Sequence, residues 1–139
     1  MRVSAKVDYA LRAIVELATT TAPETHGLVT SERLATAQAI PPKFLESILL
    51  ELRHGGLVSS QRGADGGYRL GKPAAEITVA DVIRAVEGPI ATIRGSRPED
   101  ITYAGSAVAL RDVWIDLRTA MREVLEQTTI ADLVARREP

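Results

Sequence analysis

The side chains able to do chemistry are few, and two stretches concentrate them. Lys43, Glu46 and Ser47 follow Pro41-Pro42, and Arg62, Tyr68 and Arg69 flank the turn Gly63-Ala64-Asp65-Gly66-Gly67. Thr30, Ser31 and Arg53 lie close by in sequence. Charged and hydroxyl groups on a helix next to a basic turn are suited to base edges and phosphates. The glycine turn has no Lys-Ser/Thr pair and no helix after it, so a hairpin is expected there, not a nucleotide-phosphate loop. Glu99 and Asp100 with Glu76 or Asp81 would be paired acids, but nothing fixes their spacing and solvated loop carboxylates are the plainer reading. His26 falls in a predicted loop. His54 falls at a predicted helix end, where a cation offsets the helix dipole. No catalytic residue and no metal site is therefore assigned, and an enzyme is not expected.

These residues need elements to position them, and the apolar spacing supplies a list. Val7, Leu11, Ile14, Val15 and Ala18 recur at three- and four-residue steps and predict a helix over 4–20. Residues 21–29 read as a loop. Thr30 caps a short helix that Ile40-Pro41-Pro42 must end. A second helix begins at the prolines and carries an apolar stripe of Phe44, Leu45, Ile48, Leu49 and Leu52, with Gly55-Gly56 closing it. Strand-like segments at 57–62 and 67–70 form a hairpin. Thr78 and Asp81 make a capping box for a helix that stops at Gly88-Pro89. Residues 90–103 read as an irregular connector. From 104 to 127 the period is helical again, spanning ~36 Å, with Leu110, Val113, Trp114, Leu117, Met121, Val124 and Leu125 on its apolar side. Such a helix, longer than a compact domain built from 88 residues can cover, is expected to pack on a copy of itself. Thr129 and Asp132 repeat the capping pattern for a short final helix that folds back.

The order helix, short helix, helix, hairpin is a helix-turn-helix with a wing. The expected fold is mainly α with a small β-hairpin wing. A winged helix-turn-helix domain spans 1–89, with its wing at about 57–70. A connector follows at 90–103, then the long dimerisation helix and the short C-terminal helix at 104–139. The second helix of the pair presents its N-terminal turn, with Pro42, Lys43, Glu46 and Ser47, to the major groove.

Composition bounds the rest. The 139 residues suit one domain or a small domain with an appendage. The absence of Cys excludes disulfides, thiolate zinc sites and all-cysteine iron–sulfur clusters. It suits a reducing compartment, and with no apolar run of ~18 residues and no signal-peptide core the expectation is a cytoplasmic protein with no membrane partner. The net charge of −1 hides an asymmetry: residues 1–72 carry nine Lys+Arg against seven Asp+Glu, whereas residues 73–139 carry eight against eleven.

The stretch Ile40-Pro41-Pro42-Lys43-Phe44-Leu45-Glu46-Ser47-Ile48-Leu49, then Leu52-Arg53-His54-Gly55-Gly56-Leu57-Val58 and Arg62-Gly63-Ala64-Asp65-Gly66-Gly67-Tyr68-Arg69-Leu70, resembles the Rrf-two family of bacterial winged helix-turn-helix regulators grouped with IscR, NsrR and CymR. Residues 77–89 and the opening Ser4–Arg12 match as well. The resemblance implies a homodimeric transcription factor on an inverted repeat of double-stranded DNA. It places Arg62 in a minor groove and Glu46 against a cytosine amine. It also exposes a departure. Many relatives hold an iron–sulfur cluster through three Cys in the loop before the long helix, completed in some by an Asp that Asp8 matches. Here residues 93–105 contain no Cys, so no cluster is expected, and Asp8 is expected to be solvated or salt-bridged.

Two functional readings remain at this level. The first is a sequence-specific dimeric DNA-binding regulator, a repressor. The alternative is a regulator controlled by a small-molecule ligand or protein partner at the connector and long-helix surface, where Tyr103 and Trp114 stand as pocket-lining or packing residues.

Overall fold

A computed structural model of the chain describes residues 1–20 and 27–136. The loop expected at 21–26, with Pro23 and His26, and residues 137–139 lie outside the described residues. Helix α1 (Ala5–Thr19) starts at Ser4, whose hydroxyl accepts from the Val7 N–H, and buries Val7, Ala10, Ala13, Ile14 and Leu17. Helix α2 (Ser31–Gln38) starts at Thr30, whose side chain accepts from the Arg33 N–H. Helix α3 (Pro42–His54) has proline in its first turn, where no N–H is lost, and buries Leu45, Ile48, Leu49 and Leu52. The three helices share one core with Val29, Ile77, Val82 and Val86.

The bend between α2 and α3 turns on Ala39, a left-handed residue at φ 52°. Two side chains of α1 hold it. The Arg12 guanidinium donates to the Gln38 carbonyl at 2.8 Å, and the Gln38 amide donates to Glu16 at 2.8 Å. A carbonyl at a helix end has no partner within its helix, so Arg12 supplies one. Arg12 also lies over the Tyr9 ring and pairs with Asp8 at 3.0 Å, the salt-bridged state expected for that acid. Phe44 departs from the predicted stripe: it is 41% exposed and meets Tyr9 edge-on at 5.6 Å.

The wing is β1 (Val58–Gln61) antiparallel to β2 (Gly67–Leu70), with Val58 opposite Leu70 and Gln61 opposite Gly67. Val29, read from sequence as loop, instead pairs with Tyr68 through two backbone hydrogen bonds of 2.8 and 2.7 Å and is buried. A single-residue bridge has no periodicity to betray it. It demands glycine at 67, because a Cβ there would meet the Val29 carbonyl oxygen at 2.7 Å. Gly66 is required for the same reason, its Cβ position lying 2.2 Å from the Gln61 carbonyl oxygen.

Helix α4 (Val79–Glu87) begins with the predicted Thr78/Asp81 capping box. The connector is irregular but ordered, with an Ile93–Ser96 bridge, a short 3-10 turn at Pro98–Asp100, and Pro98 and Ile101 buried. Helix α5 (Leu110–Gln127) has 18 residues, about 27 Å. The start expected at 104 is corrected by six residues, because Gly105 at φ 58° opens a 3-10 turn that interrupts the helical path. Helix α6 (Ile130–Ala135) repeats the capping box with Thr129 and Asp132. It folds back as expected and packs on α1. The starts of α4 and α6 are zipped side by side: Val79 N–H donates to Thr128 and Ile130 N–H to Ile77, and Ile130 is fully buried in the common core. The two ends of α5 are thereby tied to the body of the molecule, one by the connector and one by α6.

Candidate nucleic-acid interface

Helix α3 has two faces. Leu45, Ile48, Leu49 and Leu52 point into the core, which leaves Pro42, Lys43, Glu46, Ser47, Leu50 and Arg53 exposed. Positions 43, 46, 50 and 53 are spaced by three or four residues, so they form one stripe along the helix. At its far end the stripe runs into a groove of about 360 Å³ lined by Thr30, Ser31, Arg53, Ser60, Arg62 and Tyr68, with Glu32 and Gln61 also on its wall. Five of the ten residues nominated for DNA thus meet in one groove between the start of α2, the end of α3 and the wing. Pro42, Lys43, Glu46 and Ser47 lie along the adjoining stripe. Arg69 is exposed on β2, where strand alternation turns it away from its neighbours Tyr68 and Leu70.

Some parts of this site escaped sequence reasoning. Ser60 and Gln61 belong to it through the hairpin register, which places Ser60 opposite Tyr68. The Arg53 guanidinium donates to the Ser60 hydroxyl at 3.2 Å, bracing the wing against α3. Leu50, 45% exposed, stands on the same stripe as its one large apolar side chain. Its signal was its position four residues after Glu46 and three after Ser47. Thr30, Ser31 and Glu32, at the start of α2, line the groove, and a helix N-terminus suits phosphate oxygens.

The residues nominated for dimerisation divide. Val113 and Val124 are 54% and 66% exposed, and Leu110 is 38% exposed. Leu117, Met121 and Leu125 are half-buried, and Met121, Val124 and Leu125 line an apolar hollow of about 560 Å³ against Met1, Val3 and Ile83. The Trp114 indole N–H donates to the Tyr103 hydroxyl at 2.9 Å, so both residues fasten the connector to α5. His54 is exposed in the last turn of α3.

The donor set does not fit an iron–sulfur cluster. The chain supplies no thiolate, Asp8 is committed to Arg12, and in the connector Glu99 and Asp100 are engaged by Arg118 and Arg97. Among the described residues no group of three or more His, Asp or Glu is placed to hold a metal ion. No described helix is long and apolar enough to cross a membrane.

Comparison with known proteins agrees with this architecture. A family profile described as Rrf2, Iron-dependent Transcriptional regulator, matches residues 3–136. The chain is 50% identical over 133 residues to the HTH-type transcriptional regulator Rv1287 of Mycobacterium tuberculosis (strain ATCC 25618 / H37Rv), covering 96% of this chain and 81% of that one. It is 36% identical to the HTH-type transcriptional regulator CymR of Bacillus subtilis (strain 168), covering 97% and 91%. A solved structure of B. subtilis CymR, described as the global cysteine regulator of that organism, superposes with a TM-score of 0.82 at 35% identity over 99% of both chains. Similar proteins of known name are regulators and not enzymes, and the winged helix-turn-helix is theirs too. The chain belongs to the Rrf2 family of transcriptional regulators.

Proposed function

We propose that this chain acts as a homodimer that reads an inverted repeat in double-stranded DNA, represses where that repeat overlaps a promoter, and does so without an iron–sulfur cluster. The continuity of the α3 stripe with the wing groove carries this reading. A helix laid in the major groove presents Lys43, Glu46 and Ser47 to base edges, Glu46 accepting from a cytosine amine. The groove holding Thr30, Ser31, Arg53 and Tyr68 then meets the neighbouring phosphates. Arg62, on the wing side of the same groove, reaches the narrow minor groove, where negative potential is concentrated.

The dimer reading rests on α5. None of its 18 residues is buried, yet most of the stability of a helix in a protein comes from packing its apolar face. The exposed Leu110, Val113 and Val124 lie on the surface that a second α5 would cover. The modest charge excess of residues 1–72 makes base readout and dimerisation carry much of the affinity.

Footprinting on the region upstream of the protein's own gene tests this reading. Two protected half-sites are expected on one face of the duplex, about one helical turn (~34 Å) or a multiple of it apart, within roughly 25 base pairs. Protection of a single half-site contradicts the dimer, and no specific protection at any salt contradicts the DNA reading.

A further inference from the structure

A second cavity, of about 400 Å³, lies between α4, the connector and α5, and its lining is charged. Arg84, Arg97, Arg118 and Arg122 contribute to it, against the carboxylates of Glu99 and Glu126. The acids are shared. Arg84 and Arg122 both donate to the same oxygen of Glu126, and Arg118 donates to Glu99, with Arg97 3.7 Å from its other oxygen. Both carboxylates are held below the ordinary range, Glu99 chiefly by a backbone N–H and then by Arg118, Glu126 by Arg84 and Arg122. They stay ionised at neutral pH, so the lining carries an excess of two positive charges. Asp100, which holds Arg97 at 3.0 Å from behind, reduces that excess to one. Arg118 is the most enclosed of the four, 18% exposed, and its Nε–H is buried with no partner. Surplus cations and a buried donor left unpaired both weigh against a network that serves structure alone. An anion seated among these guanidinium groups would offset the surplus charge.

We propose that this cavity binds a small anion bearing a phosphate or paired carboxylates. Guanidinium forks match oxygen pairs of that kind, and the volume is that of a metabolite site. The site stands independently of how the protein reads DNA. Its occupant bridges Arg84 on α4 to Arg118 and Arg122 on α5, the elements that join the DNA-reading body to the long helix.

Thermal unfolding of the full chain tests it, in sodium phosphate, sodium succinate and sodium chloride at equal ionic strength. Phosphate or succinate is expected to raise the midpoint by about 3 °C or more over chloride. Response to phosphate alone assigns a phosphorylated ligand, and response to succinate alone a dicarboxylate. The rise is expected to vanish in Arg118→Gln/Arg122→Gln and to persist in Arg53→Ala, which removes a cation from the DNA-facing groove. Glu126→Gln, which frees Arg84 and Arg122, is expected to lower the anion concentration at half-effect at least about threefold. It also keeps the test informative if the double variant does not fold. Equal midpoints in the three salts overturn the proposal. So does a rise that survives the double variant, or an anion response unchanged in Glu126→Gln.

Discussion

At the scale of single residues, Arg12 shows what governs legibility. Its guanidinium serves the Gln38 carbonyl, Asp8 and the Tyr9 ring together, holding the bend that sets α3 against α2. Gln38 lies 26 residues away along the chain, so no local pattern announces the contact. Lys43, Glu46 and Ser47 were legible for the opposite reason: their exposure follows from the apolar period of their own helix. Ionisation belongs to this scale too. The Asp132 carboxyl is held below its ordinary range by the backbone N–H and then the hydroxyl of Thr129, and Glu99 and Glu126 are also held low. A carboxylate whose folded pKa is depressed contributes stability above its unfolded value and loses it as pH falls through the folded one. The midpoint of thermal unfolding is therefore expected to hold from pH 7 to 5 and to fall below about pH 4, near the unfolded carboxylate values. Asp132→Asn is expected to be less stable at pH 7 and to show a shallower acid decline. A midpoint independent of pH down to pH 3 would contradict the assignment.

At the scale of elements, six helices and a hairpin were readable because caps and periods are local: Ser4, Thr30, Thr78 and Thr129 each cap the helix that follows. The elements that were misread depend on backbone conformation or on partners distant in sequence. The start of α5 was placed too early because residues 104–109 contain no proline and Gly105 alone redirects them. Val29 was missed because its pairing with Tyr68 exists only after the wing has folded. The bend at Ala39 makes a prediction of its own. A non-glycine residue in the left-handed region costs about 1–2 kcal/mol, and the added freedom of glycine in the unfolded chain returns about 0.4–1. Ala39→Gly is expected to stabilise the protein by about 0.5–1 kcal/mol in urea unfolding, with DNA affinity unchanged. Destabilisation by that variant would show that the left-handed geometry at this residue is wrong.

At the scale of the whole molecule, the central relation is between the body that carries α3 and the wing and the α5 arm with no buried residue. The arm is anchored at one end by Tyr103 and Trp114 and at the other by Ile130. The site was half legible in sequence. Its residue types and order were plain, whereas the groove that joins Thr30, Arg53, Ser60 and Arg62 arises only when three elements converge. On the dimer reading, Val113→Asp places a charge in the apolar contact between copies. Sedimentation is expected to show the wild type at twice the chain mass and the variant at one, and a wild type sedimenting at one would refute it. The most direct test of the central claim is the salt dependence of binding to the inverted repeat, followed by fluorescence anisotropy, for the wild type and Arg62→Ala. The logarithm of affinity is expected to fall linearly with the logarithm of salt for both. The variant should bind roughly tenfold more weakly, with a slope shallower by about 1 per protomer. Superimposable lines for the two proteins would contradict the placement of the wing on DNA.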